Sequence, residues 1–153
     1  METHPNGRIM AIDFGTKRIG LAVTDELGLT AQGLPTLHRT NKRNDFEHLR
    51  RTIKQYGVRE IVMGLPLRMS GDEGTQSDKV RLFADEVLKK FKLPVHLLDE
   101  RLTSVEANRV LDDAEMNGRR RKEVVDQLAA VLILQAFMEV RASQRDRRPQ
   151  PAS

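Results

Sequence analysis

Carboxylates close three apolar stretches of this chain where ordinary core residues would be expected. Asp13 ends the run in "IMAIDFGTKRIGLAVTD" (9–25), Asp99 and Glu100 end "PVHLLDE" (94–100), and Asp126 interrupts "KEVVDQLAAVLIL" (122–134). An acid in such a place needs a partner, because burying a charge without one is costly. If the strands carrying Asp13 and Asp99-Glu100 are neighbours, their carboxylates face each other. Two like charges about 4 Å apart repel by roughly 1 kcal/mol in water and about 4 kcal/mol at an effective dielectric of 20. A proton or a cation must then stand between them, and oxygen donors favour the hard divalent ions Mg²⁺ or Mn²⁺. Asp126 is the candidate third member. Each acid also has a plain structural explanation. Asp13 can be a turn former, Glu100 a surface ion pair with Arg101, and Asp126, like Glu123, a complement to a helix N-terminus.

The elements that would position these acids can be read in order. "RIMAID" (8–13) and "RIGLAV" (18–23) flank a Gly-containing turn and predict an antiparallel hairpin. "LTAQGLPTLH" (29–38) predicts a third strand, weakened by Gly33 and Pro35. Phe46, Leu49 and Ile53 recur at helical spacing before a stop at Gly57. A strand, "REIVMG" (59–64), leads into the loop "LPLRMSGDEG". A helix follows with Val80, Phe83, Ala84, Val87, Leu88 and Phe91 on one face, and then the strand "PVHLLD" (94–99). Thr103 and Glu106 stand at capping-box spacing for another helix. The last helix, "EVVDQLAAVLILQAFMEV", is apolar nearly all round and should be mostly buried. Strands separated by helices form parallel pairs with right-handed crossovers. The prediction is an α/β fold with a mixed five-stranded sheet and helices packed on it. Sites in such sheets form beyond the carboxyl ends of the strands, where Asp13, Gly64 and Asp99-Glu100 all fall.

Composition narrows the classes. The 153 residues suit one domain, with 39% hydrophobic and 31% charged residues and a net charge of +4. A moderately basic chain permits a polyanionic partner. There is no cysteine, which excludes disulfides and thiolate metal sites and suits a reducing cytoplasm. "METHPNGR" lacks an apolar h-region, and "LAAVLIL" (128–134) is far shorter than the roughly 20 residues of a membrane span. The reading is therefore cytoplasmic, with no membrane partner. Lys17 and Arg18 follow Asp13 in the turn, Arg101 follows the acidic pair, and Arg119, Arg120, Arg121 and Lys122 precede Asp126. All could hold a phosphate backbone, which gives affinity without sequence information. Gly15 and Gly20 would let that backbone come close. With one Tyr, five Phe and no Trp, a stacking platform for single strands is not expected. The four histidines show no paired ligand spacing. The segment after residue 140, "RASQRDRRPQPAS", is polar and basic and reads as a flexible tail (141–153) on a single domain (1–140).

Four stretches in order, "DFGTKRIGLAVTD" (13–25), "GLPLRMSGDEG" (64–74), "DERLTSVEA" (99–107) and "KEVVDQLAAVLIL" (122–134), resemble the YqgF family over about residues 8 to 139. Members are described as Holliday junction resolvases and as nucleases that process small-subunit ribosomal RNA precursors. The family is similar to the RNase H-like nucleases. The resemblance implies a sheet with the first strand at its centre and the fourth beside it. It also implies an acidic triad on Asp13, Glu100 and Asp126 that binds two Mg²⁺ or Mn²⁺ ions. For the second member Asp99 is the competing choice, since its strand is apolar on both faces. The implied substrate contacts are Gly15, Thr16, Lys17, Arg18, Arg101 and Lys122. The implied activity is hydrolysis of phosphodiesters in nucleic acid, either structured RNA or branched DNA. Processing of the 5′ end of precursor 16S rRNA, with pre-ribosomal particles as partners, comes first. Resolution of Holliday junctions, which would need two active sites and so a homodimer, is the alternative. A non-catalytic RNA-binding assembly factor is a third reading. "DFGTKRIG" also looks like the first phosphate loop of the actin-like ATPases, but those proteins need two such domains and a second Asp-Gly loop.

Overall fold

The computed structural model describes residues 7–67, 74–103, 105 and 119–146, without the side chains of 119–123 and 146. Its elements run β1 (Arg8–Phe14), β2 (Arg18–Thr24), β3 (Ala31–His38), α1 (Lys42–Tyr56), β4 (Val58–Leu65), α2 (Thr75–Phe91), β5 (Val95–Asp99), a 3-10 turn (Glu100–Leu102) and α3 (Arg119–Asp146). The strands form one sheet in the order β3-β2-β1-β4-β5. β1 pairs antiparallel with β2 and parallel with β4, and β5 extends the parallel half. This is the mixed five-stranded sheet expected from the sequence, with β1 at its centre. β3 forms despite Gly33 and Pro35 because it is an edge strand, where a missing N–H costs no ladder bond, and its pairing with β2 carries an irregularity.

The two faces of the sheet are packed differently. On one, Met10, Ile12, Ile19, Leu21, Val23, Ile61 and Met63 meet Phe46 and Leu49 of α1 and Val80, Phe83 and Val87 of α2. Side chains of this size each contribute about 1.5–3 kcal/mol on burial. Leu88 of α2, expected on that face, is instead exposed. Asn41 caps α1 by accepting the Asn44 N–H at 2.9 Å, and Gly57 ends it at a φ of 63°. The opposite face is made of small residues. Ala11, Ala22 and Val62 meet Ala129, Ala130, Ile133, Leu134 and Phe137 of α3. Val124 and Leu128 of α3 are exposed, so the helix buries one side rather than its whole circumference.

Small residues let α3 settle directly on the strands. A Cβ on Gly20 of β2 would collide with the carbonyl oxygen of Asp126, and one on Gly33 of β3 would collide with the Gln127 side chain. Gln127 Nε2 donates to the Leu34 carbonyl at 3.0 Å, pinning the same turn of α3 to β3. At its other end, Arg141 donates to both oxygens of Glu60 on β4 at 2.6 and 3.0 Å and lies over the Phe137 ring. The Arg141 guanidinium, with His96 as a second partner, holds the Glu60 carboxyl below its ordinary range. These contacts carry the helix past residue 140 to Asp146, into the segment read from the sequence as a tail.

The helix expected after Thr103 lies almost wholly outside the described residues; Val105 N–H donates to Thr103 Oγ1 at 3.2 Å, as at a helix start. Residues 68–73 of the "GLPLRMSGDEG" loop also lie outside them. No helix among the described residues is long and apolar enough to cross a membrane.

Because the obstacle at Gly20 is backbone rather than a yielding side-chain tip, Gly20→Ala should lower stability by about 1–3 kcal/mol. Urea unfolding is the measurement, and an unchanged midpoint would mean that α3 is not seated on β2 as described.

Candidate active site

Asp13 lies on the α3 face of the central strand. It pairs across the ladder with Gly20 and is only 6% exposed. Strand alternation sends its neighbour Phe14 to the other face, where the ring stacks on Phe83 with centroids 4.3 Å apart. The aromatic contact fixes the rotation of the strand end, and so the direction of the acid. Asp13 and Asp126 approach each other over Gly20: a Cβ there would also lie 3.3 Å from the Asp13 Cβ.

Glu100 comes to the same face from the other side. The pairing of Ile12 with Met63 places Gly64 of β4 beside Asp13. Glu100 begins the 3-10 turn, is 7% exposed, and would meet a Cβ on Gly64 with its Oε1 at 2.7 Å. Gly64 is thus the gap in which the Glu100 carboxylate lies, flanked by Ile133 of α3.

Asp99 is used differently. Its carboxylate accepts from Arg101 N–H at 2.9 Å and from the Arg101 guanidinium at 2.7 Å. That guanidinium holds the Asp99 carboxyl below the usual range. Asp99 caps the turn, and Glu100 is the acid delivered to the α3 face.

Asp126 accepts from Arg18 Nε at 2.5 Å. The three acids therefore lie on one face at one end of the sheet, and the Asp126 carboxylate is engaged by the Arg18 guanidinium. Among the described residues no group of three or more His, Asp or Glu is arranged as a finished metal cage. The donors still suit a hard cation in kind, since all three are carboxylates.

The turn after Asp13 is organised by a residue the sequence did not single out. Arg39, just beyond β3, donates to the carbonyls of Gly15 and Thr16 at 3.1 and 3.3 Å and to Asp45 Oδ2 at 3.2 Å. Its guanidinium also lies 4.7 Å from the Phe14 ring centroid. Asp45 is 2% exposed and also accepts the Thr40 N–H at 3.2 Å. Nothing local in the sequence marks Arg39, because its partners are 23, 24 and six residues away. With Thr16, Lys17, Arg18 and His38 it lines an open cleft of about 610 Å³ beside the acids. Thr16 and Lys17 are exposed there. Gly15 is required by the turn itself, since a Cβ would lie 2.5 Å from the Arg18 carbonyl oxygen. The space at Gly20 is taken by α3, not left for a phosphate. Arg101 is exposed but committed to Asp99. The Lys122 side chain lies outside the described residues.

A sheet of this order with acids at the end of its central strand defines an RNase H-like α/β fold. Thermus thermophilus RuvC shares the fold, with a TM-score of 0.53 at 15% identity over 89% of this chain and 96% of that one. The same protein in complex with Holliday junction substrate gives a TM-score of 0.52 at 16% identity, covering 88% and 96%. The chain belongs to the RuvX family, whose model carries the description Holliday junction resolvase and matches residues 7–140. A relative from Koribacter versatilis is 60% identical over 92% of both chains, and one from Moorella thermoacetica is 49% identical over 86% of this chain and 94% of its own. Both are provisionally described as pre-16S rRNA nucleases.

Removing Arg39 should loosen the turn that follows Asp13. Arg39→Ala is expected to cost about 2 kcal/mol, because Asp45 stays buried without its counter-charge. Hydrogen exchange at Thr16, Lys17 and Arg18 should speed up in step. Unaltered exchange there would show that the turn is held by other means.

Proposed function

We propose that this protein is a divalent-metal-dependent nuclease that hydrolyses phosphodiesters in the 5′ region of precursor 16S rRNA, with Asp13, Glu100 and Asp126 as its metal ligands. The observation that supports this reading is the closeness of Gly20 to the Asp13 side chain and the Asp126 main chain, and of neighbouring Gly64 to the Glu100 carboxylate, on one sheet face. Two relatives at 60% and 49% identity, covering nearly the whole chain and described as pre-16S rRNA nucleases, support the choice of substrate. The family description favours a second reading, resolution of Holliday junctions.

Asp13, on the central strand and backed by the Phe14–Phe83 stack, would hold metal together with Glu100 and Asp126. Bound between these acids, Mg²⁺ or Mn²⁺, as two ions, would supply Lewis-acid polarisation of the phosphoryl group and stabilise the attacking and leaving oxygens. The chain's own residues do the rest. Lys17 and the cleft it lines offer positive charge to the phosphates flanking the scissile bond. Arg39 keeps that cleft in register with Asp13 through the carbonyls of Gly15 and Thr16. Arg101 is held by Asp99 at the rim, pre-oriented for a further phosphate. Lys122, four residues before Asp126 in sequence, is kept in this reading as a substrate contact. The reading keeps residues 1–140 as the nuclease domain and places its work in the cytoplasm on pre-ribosomal particles. A homodimer is required only by the junction substrate.

Purified protein with Mg²⁺ or Mn²⁺ should cleave a precursor 16S rRNA fragment faster than a four-way DNA junction. Asp13→Asn should slow cleavage by at least about a hundredfold while leaving the fold intact by circular dichroism. Full activity of Asp13→Asn, or cleavage in excess chelator, would refute the assignment; preference for the junction would transfer it to the second reading.

A further inference from the structure

We infer that Arg18 is an internal counter-ion that exchanges with the metal: it neutralises Asp126 until a divalent cation binds, and is then released to the phosphates of the substrate. This rests on the reading of Asp13, Glu100 and Asp126 as the metal site. The observation behind it is the 2.5 Å ion pair between Arg18 Nε and Asp126 Oδ2.

Arg18 is not needed to position Asp126. The main chain of Asp126 is packed against Gly20, and the next residue, Gln127, is hydrogen-bonded to Leu34 across Gly33. Main-chain packing on β2 and the Gln127 side chain on β3 therefore hold this turn of α3 on two strands. What Arg18 adds is charge. The guanidinium offsets the negative charge of Asp126 on a sheet face that also carries Asp13 and Glu100.

Arg18 is also placed to leave. The side chains of the pair are 29% and 18% exposed, so the guanidinium can turn toward solvent without opening the core. It already lines the cleft shared with Lys17 and Arg39. A divalent cation at Asp126 and a guanidinium on the same carboxylate repel each other. Once turned into the cleft, the planar guanidinium can grip a phosphate through two parallel hydrogen bonds. Metal loading and capture of substrate are thereby coupled, and the coupling is reciprocal: whatever the ion pair subtracts from metal affinity, the metal subtracts from the pair.

Two measurements on the metal-free protein test this, neither of them activity. Titration with Mn²⁺, followed by electron paramagnetic resonance, should show Arg18→Gln binding the ion on the order of tenfold more tightly than wild type. Asp13→Asn should bind it more weakly. In nitrogen-15 spectra of the wild type, the protected Arg18 Nε–H signal should be lost to exchange as Mg²⁺ saturates the site. If Arg18→Gln binds Mn²⁺ no more tightly, or the Nε–H signal persists in saturating Mg²⁺, Arg18 is a fixed partner of Asp126. The exchange is then wrong, while the metal-site reading stands provided Asp13→Asn loses the ion. If neither wild type nor Arg18→Gln binds Mn²⁺, both fall. Should Arg18→Gln not fold, the spectrum of the wild type decides alone.

Discussion

The close seating of one helix on a sheet face stripped of side-chain bulk is the constraint on which the rest of this structure depends. Ala11, Gly20, Ala22, Gly33 and Gly64 present little beyond backbone to α3, and the helix descends until Asp126 touches β2. A larger residue at Gly20 would lift the helix and carry Asp126 away from Asp13. The same vacancy at Gly64 admits the Glu100 carboxylate. Packing density and site assembly are one fact here, because the atoms that would spoil the first would also occupy the second.

The opposite face supplies rigidity. Large side chains from β1, β2 and β4 pack against α1 and α2, and Phe14 stacks on Phe83 directly behind Asp13. A strand buried in this way cannot rotate without losing several apolar contacts, so Asp13 is held by residues that never approach the site. Arg39 extends that rigidity into the following turn by joining the Gly15 and Thr16 carbonyls to the buried Asp45. The acids differ in how firmly they are held. Asp13 stands within a central strand and Glu100 begins a short 3-10 turn, while Asp126 is fixed through backbone and balanced by a guanidinium that faces solvent.

Most of this frame was legible in the sequence, for physical reasons that can be named. Strand and helix periods in "RIMAID", "RIGLAV" and the Val80–Val87 stretch set the elements, and alternation of helix with strand set the parallel half of the sheet. The acids stood out because charges at the ends of apolar runs demand partners. What could not be read was mostly long-range. That Arg101 folds back onto Asp99 while Glu100 opens a 3-10 turn is encoded by no periodicity. Gly20 reads naturally as room for a phosphate; that it makes room for a helix 106 residues away depends on the tertiary fold. Leu88, Val124 and Leu128 fit an apolar face on the helical wheel yet face outward, since sequence gives the width of an apolar stripe but not the width of the surface it meets. Arg39 carried no local signal, and neither did the pairing of Arg18 with Asp126.

The proposed divalent-cation site of Asp13, Glu100 and Asp126 on the α3 face of the sheet is open to direct observation. Crystals grown with Mn²⁺ and measured above the manganese absorption edge test it most directly. Anomalous density is expected between these three carboxylates, as two peaks roughly 3.5–4 Å apart. Strong manganese peaks elsewhere on the molecule, with none among the three acids, would contradict it.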